Sequence, residues 1–224
     1  MGTLFVDNIK QQSSQGSGTI TIGASGETVA LGSGVTPSGN FGNLALLHTT
    51  EVSSSVSSVD IDGFFSSTYD KYFMAISNLS ISTDTKYLII KVNVGGSTQT
   101  STIYTQVVGG NRILTDGTSQ AVDGGSYNSY NYIFGNWNNS LNVGTDGDGY
   151  NAELFINDPL QTSKHKQLYI NSIYYGHGSS LDRFVTERNA NLIRTTSALS
   201  GINFSCTGSA TIDKGTISLY GLRK

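Results

Sequence analysis

The residue types that most often carry out catalysis are few in this chain and far apart. Its three histidines are His48, His165 and His177, and its single cysteine is Cys206. The histidines lack the spacings at which such residues bind a metal ion, as in His-Glu-x-x-His. Cys206 alternates with apolar residues, which favours a small buried side chain over a nucleophile. We therefore predict no catalytic residue, no metal site and no cofactor.

Two pairs of aspartates lie close together in the sequence, Asp60 with Asp62 and Asp146 with Asp148. A glycosidase needs two acidic groups that face each other across a groove. Both pairs instead have the surroundings of strand edges or turns. Residues 145–149 also begin like a calcium loop, but the later acidic ligand is missing at the expected spacing. The chain is therefore expected not to be an enzyme.

Aromatic residues are concentrated between positions 127 and 137, where they are mixed with asparagines. Aromatic faces stack on sugar rings, and amides bind hydroxyl groups, so this mixture favours glycan binding. Tyr130, Tyr132 and Phe134 alternate and are better explained as one core face of a strand. The candidate glycan-binding residues are Tyr127, Trp137, Asn136 and Asn138.

The densest group of charges lies near the end of the chain. It consists of Asp182, Arg183, Glu187, Arg188 and Arg194. Such a group is usually a solvated face. If it were buried between subunits, arginine–carboxylate pairs would fix the register of the copies.

The composition indicates which elements must position these residues. The chain has 224 residues, only 13% of them charged, with 27 glycines but 2 prolines. Its 12 tyrosines and 9 phenylalanines supply material for a core, which Gly-rich disordered chains lack. Serine, threonine, asparagine and glycine suit turns and the solvent faces of strands. We expect one large β-domain with an accessory segment.

Residues 1–47 differ from the rest and are predicted to be an N-terminal docking or oligomerisation segment. Short alternating units end at Gly23 and Gly32, and strands this short cannot bury an apolar face alone. A floppy tail with chance alternation is the alternative. The residues expected to face a partner are Leu4, Phe5, Val6, Ile9, Ile20, Ile22, Val29 and Leu31.

Residues 48–224 show a series of short alternating segments, which predicts a β-sandwich domain. Gly95 and Gly96 favour a hairpin, and Gly109 and Gly110 are expected to end the next strand. Residues 111–129 are predicted to be rich in loops, and 184–196 to form one long bent strand or two paired ones. The predicted fold is all-β, a jelly-roll-like antiparallel β-sandwich with a short N-terminal β attachment segment.

Charge and hydropathy indicate which partners to expect. The net charge is −3 and no basic stripe is visible, which argues against nucleic acid. No apolar run is long enough for a membrane-spanning helix, so we expect no membrane insertion. The opening residues lack the basic and apolar regions of a secretory signal.

The first nine residues, Met1-Gly2-Thr3-Leu4-Phe5-Val6-Asp7-Asn8-Ile9, and the Gly/Ser/Thr repeats through Gly34 resemble the opening of virion proteins of marine tailed phages. These include cyanophage-like and pelagiphage-like fibre and other structural proteins. Later strings are similar to that group as well. They are 69–72, 154–159, 201–204 and 215–221. The resemblance implies a β-sandwich virion component, homo-oligomeric with a trimer favoured, and it supplies no catalytic residues.

We therefore expect a non-enzymatic structural component of a tailed-phage virion, assembled in the host cytoplasm. A surface-exposed tail or head fibre, or receptor-binding protein, is the first choice, with other virion proteins and a host surface glycan as partners. A capsid decoration (cement) protein is the first alternative. A carbohydrate-binding module is the second, and it would use Tyr127 and Trp137.

Overall fold

The structure is a computed structural model, and it describes residues 44–83, 86–114, 116–132, 149–176 and 183–223. Every regular element in these ranges is a β-strand, and none of their residues forms a helix that could cross a membrane. The strands are β1 (Leu44–Val52), β2 (Ser58–Asp62), β3 (Tyr69–Ile81), β4 (Leu88–Val94), β5 (Ser97–Thr98), β6 (Tyr104–Leu114), β7 (Ser119–Asn128), β8 (Asn131–Tyr132), β9 (Tyr150–Asn157), β10 (Lys166–Gly176), β11 (Arg183–Ile193), β12 (Gly201–Cys206) and β13 (Ile212–Arg223).

The strands form two antiparallel sheets. The large sheet has eight strands in the order β1-β13-β3-β9-β10-β11-β6-β7. The small sheet has the order β2-β12-β4-β5, and β8 also pairs with β4. Buried apolar side chains from both sheets, such as Met74 and Leu154 from the large one and Ile90 and Phe204 from the small one, make a single core cluster. The predicted all-β sandwich is confirmed.

Eight of the strands pair as one nested ribbon, in which early strands meet late ones. In the large sheet β1 pairs with β13 and β3 with β9, while in the small sheet β2 pairs with β12 and β4 with β8. A long antiparallel ribbon folded over into two facing sheets is the topology of a jelly roll. The remaining strands are additions to this ribbon, so the jelly-roll prediction is confirmed as well.

The additional strands all belong to the large sheet, which they widen, except for the two-residue strand β5 in the small sheet. Strands β10 and β11 lie in the connection between β9 and β12, and they pair with each other over eleven positions. Strands β6 and β7 come from the connection between β4 and β8, and β6 pairs with β11. The result is an outer face that extends well beyond the four strands of the ribbon.

Alternation along the strands explains which residues enter the core. In β9, Tyr150, Ala152, Leu154 and Ile156 are buried, while most of the residues between them are exposed. Because successive side chains in a strand point to opposite faces, one face is covered by the small sheet and the other is not. Each fully buried Leu or Ile contributes about 1.5–3 kcal/mol to folding.

The turn after β4 matches its sequence. Gly95 and Gly96 have φ angles of 57° and 77°, and Val94 pairs with Ser97 directly across them. Two consecutive residues of positive φ make a two-residue hairpin turn that glycine forms without steric cost. The predicted hairpin is confirmed, although its second strand, β5, is only two residues long.

The segment predicted to be rich in loops, 111–129, contains the end of β6 and the whole of β7. This prediction is wrong because Gly109 and Gly110 do not end β6. They lie inside a strand that is paired on both sides, opposite Arg188 and Glu187. The hairpin turn comes later, where Asp116 accepts a hydrogen bond from the Thr118 backbone N–H at 2.8 Å.

Two further boundaries differ from the sequence prediction. Strand β1 begins at Leu44, so residues 44–47 belong to the sandwich rather than to the N-terminal segment. The sequence predicts one long bent strand or two paired strands over 184–196. The structure has a single strand there, β11, which ends at Ile193. The eight N-terminal residues predicted to face a partner lie outside the described residues, and their role stays a prediction.

Candidate functional site: an aromatic row on the outer face of the large sheet

Four aromatic side chains lie next to one another on the outer face of the large sheet. Tyr220 on β13 is opposite Phe73 on β3, Phe73 is opposite Phe155 on β9, and Phe155 is opposite Tyr169 on β10. Their immediate neighbours along each strand, such as Leu154 and Ile156, are buried in the core. Alternation therefore turns all four rings away from the core. We call these four residues the aromatic row.

The rings of the aromatic row are in contact from strand to strand. The ring centroids of Phe73 and Tyr220 are 5.7 Å apart, those of Phe73 and Phe155 5.1 Å, and those of Phe155 and Tyr169 6.4 Å. The ring planes are inclined by 35–41°. These separations lie within the range at which aromatic pairs attract each other. Contact between the rings keeps each one in place while its outer side stays accessible.

The aromatic row is exposed at Phe155 and Tyr169, and other apolar residues continue it beyond the rings. Phe155 is 37% exposed and Tyr169 is 39% exposed, which is high for large apolar side chains. In register with the rings, Leu46 extends the row at one end and Ala190 and Val107 at the other. Contiguous exposed apolar surface of this kind marks a site of contact with another molecule.

A second row on the same face is polar. Glu153 on β9 is opposite Asn171 on β10, and Asn171 is opposite Arg188 on β11. Glu153 and Asn171 lie two residues along their strands from Phe155 and Tyr169, and Arg188 lies two residues from Ala190, a separation of about 7 Å in each case. The Tyr169 hydroxyl donates a hydrogen bond to Asn171 Oδ1 at 2.8 Å, which connects the two rows. We call Glu153, Asn171 and Arg188 the polar row.

The charged members of the polar row are available for a ligand. Glu153 and Arg188 are exposed, and neither forms an ion pair or hydrogen bond with another described residue. The Asn171 amide is half-buried, and its oxygen is held by Tyr169. Together these side chains offer a carboxylate, an amide and a guanidinium in one line, so they present both donors and acceptors.

Depressions lie on both sides of Asn171 on the outer face. They form where small residues such as Ala75 and Gly109 take the place of larger side chains. One of about 430 Å³ is bordered by Phe73, Ala75 and Glu153. Another of about 800 Å³ is bordered by Tyr169 and Arg188, with Gly109 beside it. A third of about 500 Å³ lies on the far side of Tyr169. All three are within the range of small-ligand sites.

Asp60 and Asp62, the described aspartate pair that stands out in the sequence, form hydrogen bonds within the small sheet. The Asn93 side-chain amide donates to Asp60 at 3.1 Å and to Asp62 at 3.2 Å, and Ser200 Oγ donates to Asp62 at 2.7 Å. These contacts join β2 to β4 and to the residue before β12. Asp60 and Asp62 therefore contribute to the pairing of the small sheet. No group of three or more His, Cys, Asp or Glu side chains in the described ranges is arranged to hold a metal ion.

The charge group predicted near the end of the chain is divided by the sheet. Glu187 is 1% exposed on the inner face, and Tyr174 Oη donates a hydrogen bond to it at 2.9 Å. Burial raises the pKa of the neighbouring Tyr150 well above its usual value, and the Glu187 charge adds to that shift. Arg188 is on the opposite, outer face. The two residues are adjacent in sequence but do not form one surface patch.

Of the four predicted glycan-binding residues, one lies within the described ranges and three lie outside them. Tyr127 falls within β7, where its backbone pairs with Thr105. Trp137, Asn136 and Asn138 are outside the described residues, and their role stays a prediction.

His48 is held by two contacts. It stacks on Phe64 with ring centroids 4.3 Å apart, and its Nε2 is 3.0 Å from Thr50 Oγ1.

The aromatic row has a signal in the sequence that the strand predictions did not use. Phe73, Phe155 and Tyr169 each lie between two buried apolar residues, so each strand is apolar on both faces at that point. A half-exposed strand normally carries polar residues on its outer side. An aromatic residue at such a position therefore indicates a contact surface, provided that the sheet is covered on one side only.

Comparison with known proteins adds little to this description. No family model matches the chain, and no curated protein matches it. Among solved structures, the chain is similar to one described as "Structure of infectious bursal disease virus Gx strain", with 11% sequence identity and a TM-score of 0.13. The alignment covers 88% of this chain and 45% of that chain, so this chain spans less than half of its length. A likeness this weak carries no argument about fold or function.

Proposed function

We propose that this chain is a non-enzymatic structural component of a tailed-phage virion, and that it acts as a surface-exposed tail or head fibre or receptor-binding protein. The observation that carries the proposal is the widened outer face of the large sheet. A jelly roll needs only the four ribbon strands of each sheet to enclose a core, yet four further strands extend this face. This outer face carries exposed aromatic residues, although polar residues would be enough for a surface that contacts only water.

The sequence adds the class of particle to this proposal. The resemblance of its first nine residues to virion proteins of marine tailed phages supports a place on such a particle. In this assignment the residues that precede β1 attach the protein to other virion proteins or to further copies, with a trimer favoured. The sandwich then faces the medium, with its outer face available for a host surface.

The proposal is tested on purified particles of a tailed phage that encodes the chain. Mass spectrometry measures whether the chain is present and in how many copies, and gold-labelled antibodies raised against the purified protein locate it. We expect the chain at the tail or at sparse head fibres, with a copy number that matches the fibres. Absence from purified particles would overturn the proposal.

Capsid decoration gives a different result in the same measurement. A decoration protein matches the capsid subunits in copy number, and antibodies label the whole head surface. That outcome would keep the virion assignment and replace the fibre assignment. An enzymatic role would be supported if the purified chain released sugars from host polysaccharide, and we expect no such release.

A further inference from the structure

We propose that the outer face of the large sheet binds a neutral, hexose-containing glycan, with the aromatic row as a stacking platform and the polar row as hydrogen-bonding groups. The inference rests on the proposed function, because it names the receptor class for that face. It uses Phe155, Tyr169, Glu153, Asn171 and Arg188 in place of the residues between 127 and 137.

The aromatic row has the geometry that stacking on sugars requires. A pyranose ring presents a face of C–H groups with slight positive charge, and the face of an aromatic ring is slightly negative. Phe155 and Tyr169 expose more than a third of their surface, while contact with neighbouring rings holds them in place. Their orientation is fixed before binding, so little conformational entropy is lost when a sugar stacks on them.

The polar row supplies the groups that a sugar's edge needs. Hydroxyl groups on adjacent ring carbons both donate and accept hydrogen bonds, and a planar carboxylate, amide or guanidinium can contact two of them at once. Glu153, Asn171 and Arg188 offer one of each within reach of Tyr169. The carboxylate and the guanidinium balance in charge, which favours a neutral glycan over a strongly anionic one.

The depressions provide space for more than one sugar unit. The largest, of about 800 Å³, lies between Tyr169 and Arg188, where Gly109 leaves the face without a side chain. The depression of about 430 Å³ continues on the other side of Asn171 toward Phe73. An oligosaccharide that runs across the strands would therefore meet a ring at each strand spacing of about 4.8 Å.

A second copy of this chain is the competing occupant of an exposed apolar face. The centre of a protein–protein interface is depleted of charged residues. Here Glu153 and Arg188 are exposed and unpaired among the described residues, on the same face as the exposed rings of Phe155 and Tyr169. Burying them against a second copy would remove their hydration without an evident partner, whereas sugar hydroxyls would satisfy both.

The test is affinity electrophoresis of the full chain in native gels that contain one soluble polysaccharide each. The neutral probes are a β-glucan, an α-mannan and a galactan, and dextran sulfate is the anionic control. We expect retardation by at least one neutral probe and none by dextran sulfate. Thermal unfolding of each variant shows whether its fold is retained.

Three variants test the site. Tyr169→Ala removes a stacked ring and should weaken binding by about tenfold. Tyr169→Phe keeps the ring and removes the hydroxyl that holds Asn171, so its loss should be smaller. Gly109→Gln should fill the largest depression and reduce binding. A Cβ at position 109 meets no other atom within 4 Å, so this change should leave the fold intact.

Phe184→Ala is the matched control on the same face. Phe184 is 45% exposed, and the register places it opposite Tyr175, six residues along β10 from Tyr169. This distance is about 20 Å. Binding by Phe184→Ala should equal that of the unaltered chain. Equal losses in Phe184→Ala and Tyr169→Ala would show that the effect is not confined to the proposed site, and would overturn it.

Two further results would overturn the inference. One is failure of every neutral probe to retard the unaltered chain. The other is sedimentation showing that the chain associates and that Phe155→Glu makes it monomeric, because the face would then join copies. The virion test and the glycan-binding test have independent outcomes. A chain present in particles that binds no glycan leaves the proposed function standing, and a glycan-binding chain absent from particles leaves only this inference.

Discussion

A single tyrosine hydroxyl joins the two sheets of the sandwich. Tyr104 on β6 accepts a hydrogen bond from the Val92 backbone N–H at 3.0 Å, and Val92 belongs to β4 in the small sheet. The same hydroxyl donates to the Gln99 carbonyl oxygen at 2.9 Å. Tyr104 is 1% exposed, and this burial raises its pKa to about 12. The hydroxyl thus satisfies the backbone N–H of the buried Val92 and the carbonyl oxygen of the half-buried Gln99.

Replacing Tyr104 by phenylalanine should lower the free energy of unfolding by about 1–3 kcal/mol, because the Val92 N–H and the Gln99 carbonyl lose their partner. Urea denaturation at neutral pH measures the change. Tyr220→Phe is the control, since no described hydrogen bond involves that hydroxyl and its ring contacts are kept. Equal stability of the Tyr104→Phe variant and the unaltered chain would contradict the role given to this hydroxyl.

The same variant should change how stability depends on pH. The pKa of Tyr104 is about 12 in the folded chain and 10.0 in the absence of the fold. Folding therefore favours the protonated form. Its contribution is complete below pH 10 and is lost as the pH rises toward 12. The unaltered chain should lose stability more steeply in that interval than Tyr104→Phe, as measured by urea midpoints. Parallel curves would count against the shift.

At the scale of single elements, strand β6 shows how a glycine pair can lie inside a sheet. A Cβ at Gly110 would lie 2.2 Å from the backbone oxygen of Thr186 on β11, whereas a Cβ at Gly109 would meet nothing within 4 Å. Gly110 therefore permits the close approach of β6 and β11. Gly109 is needed by neither neighbour, and its absent side chain instead opens the outer face.

We expect Gly110→Ala to destabilise the chain by about 1–3 kcal/mol, because β6 and β11 must move apart to accommodate the methyl group. Gly109→Ala is the neighbouring control and should leave stability unchanged or slightly higher. Thermal and urea unfolding of the two variants give the comparison. If both variants unfold like the unaltered chain, the contact between Gly110 and Thr186 is not restrictive.

Sequence patterns predict some strands well and miss others for a physical reason. Residues 150–157 alternate completely and Pro159 follows them, so the sequence pattern indicates strand β9 with its observed bounds. Strand β7 is missed, because its polar and glycine-rich residues carry little alternation at the edge of a sheet. An edge strand needs less apolar surface, so its pattern is weak.

The site depends on information that the sequence carries only indirectly. Phe73 and Phe155 are 82 residues apart and become neighbours only through the pairing of β3 with β9. Alternation predicts that each lies opposite its buried neighbours, but not which strands are adjacent. The fold class could therefore be predicted from the sequence, whereas the aromatic row required the register of four strands.

At the scale of the whole molecule, the position of β13 between β1 and β3 makes the large sheet depend on this late strand. Strand β13 lies between β1 and β3 and pairs with both along most of its length. It also contributes Ile212, Ile217 and Leu219 to the core, each fully buried. Its removal would separate β1 from the rest of the sheet and open the core to water.

A chain that lacks residues 212–224 should therefore fail to unfold cooperatively, while a chain that lacks residues 1–41 should keep the sandwich. Residues 42–224 form a compact unit by themselves. Circular dichroism during heating distinguishes the two cases, with a sharp transition expected only for the second chain. Cooperative unfolding without β13 would contradict the importance given to its position between β1 and β3.

The nested ribbon also has a consequence for biosynthesis. The ribosome makes β1 well before β13, the strand that pairs with it, because all the other described strands lie between them in the chain. During translation the backbone hydrogen-bonding groups of β1 have no partner until β13 is made. The β13 strand of a neighbouring chain on the same messenger RNA could therefore pair with β1 first. Exchange of this strand between copies would produce intertwined subunits, so the timing of translation can decide whether the molecule closes upon itself.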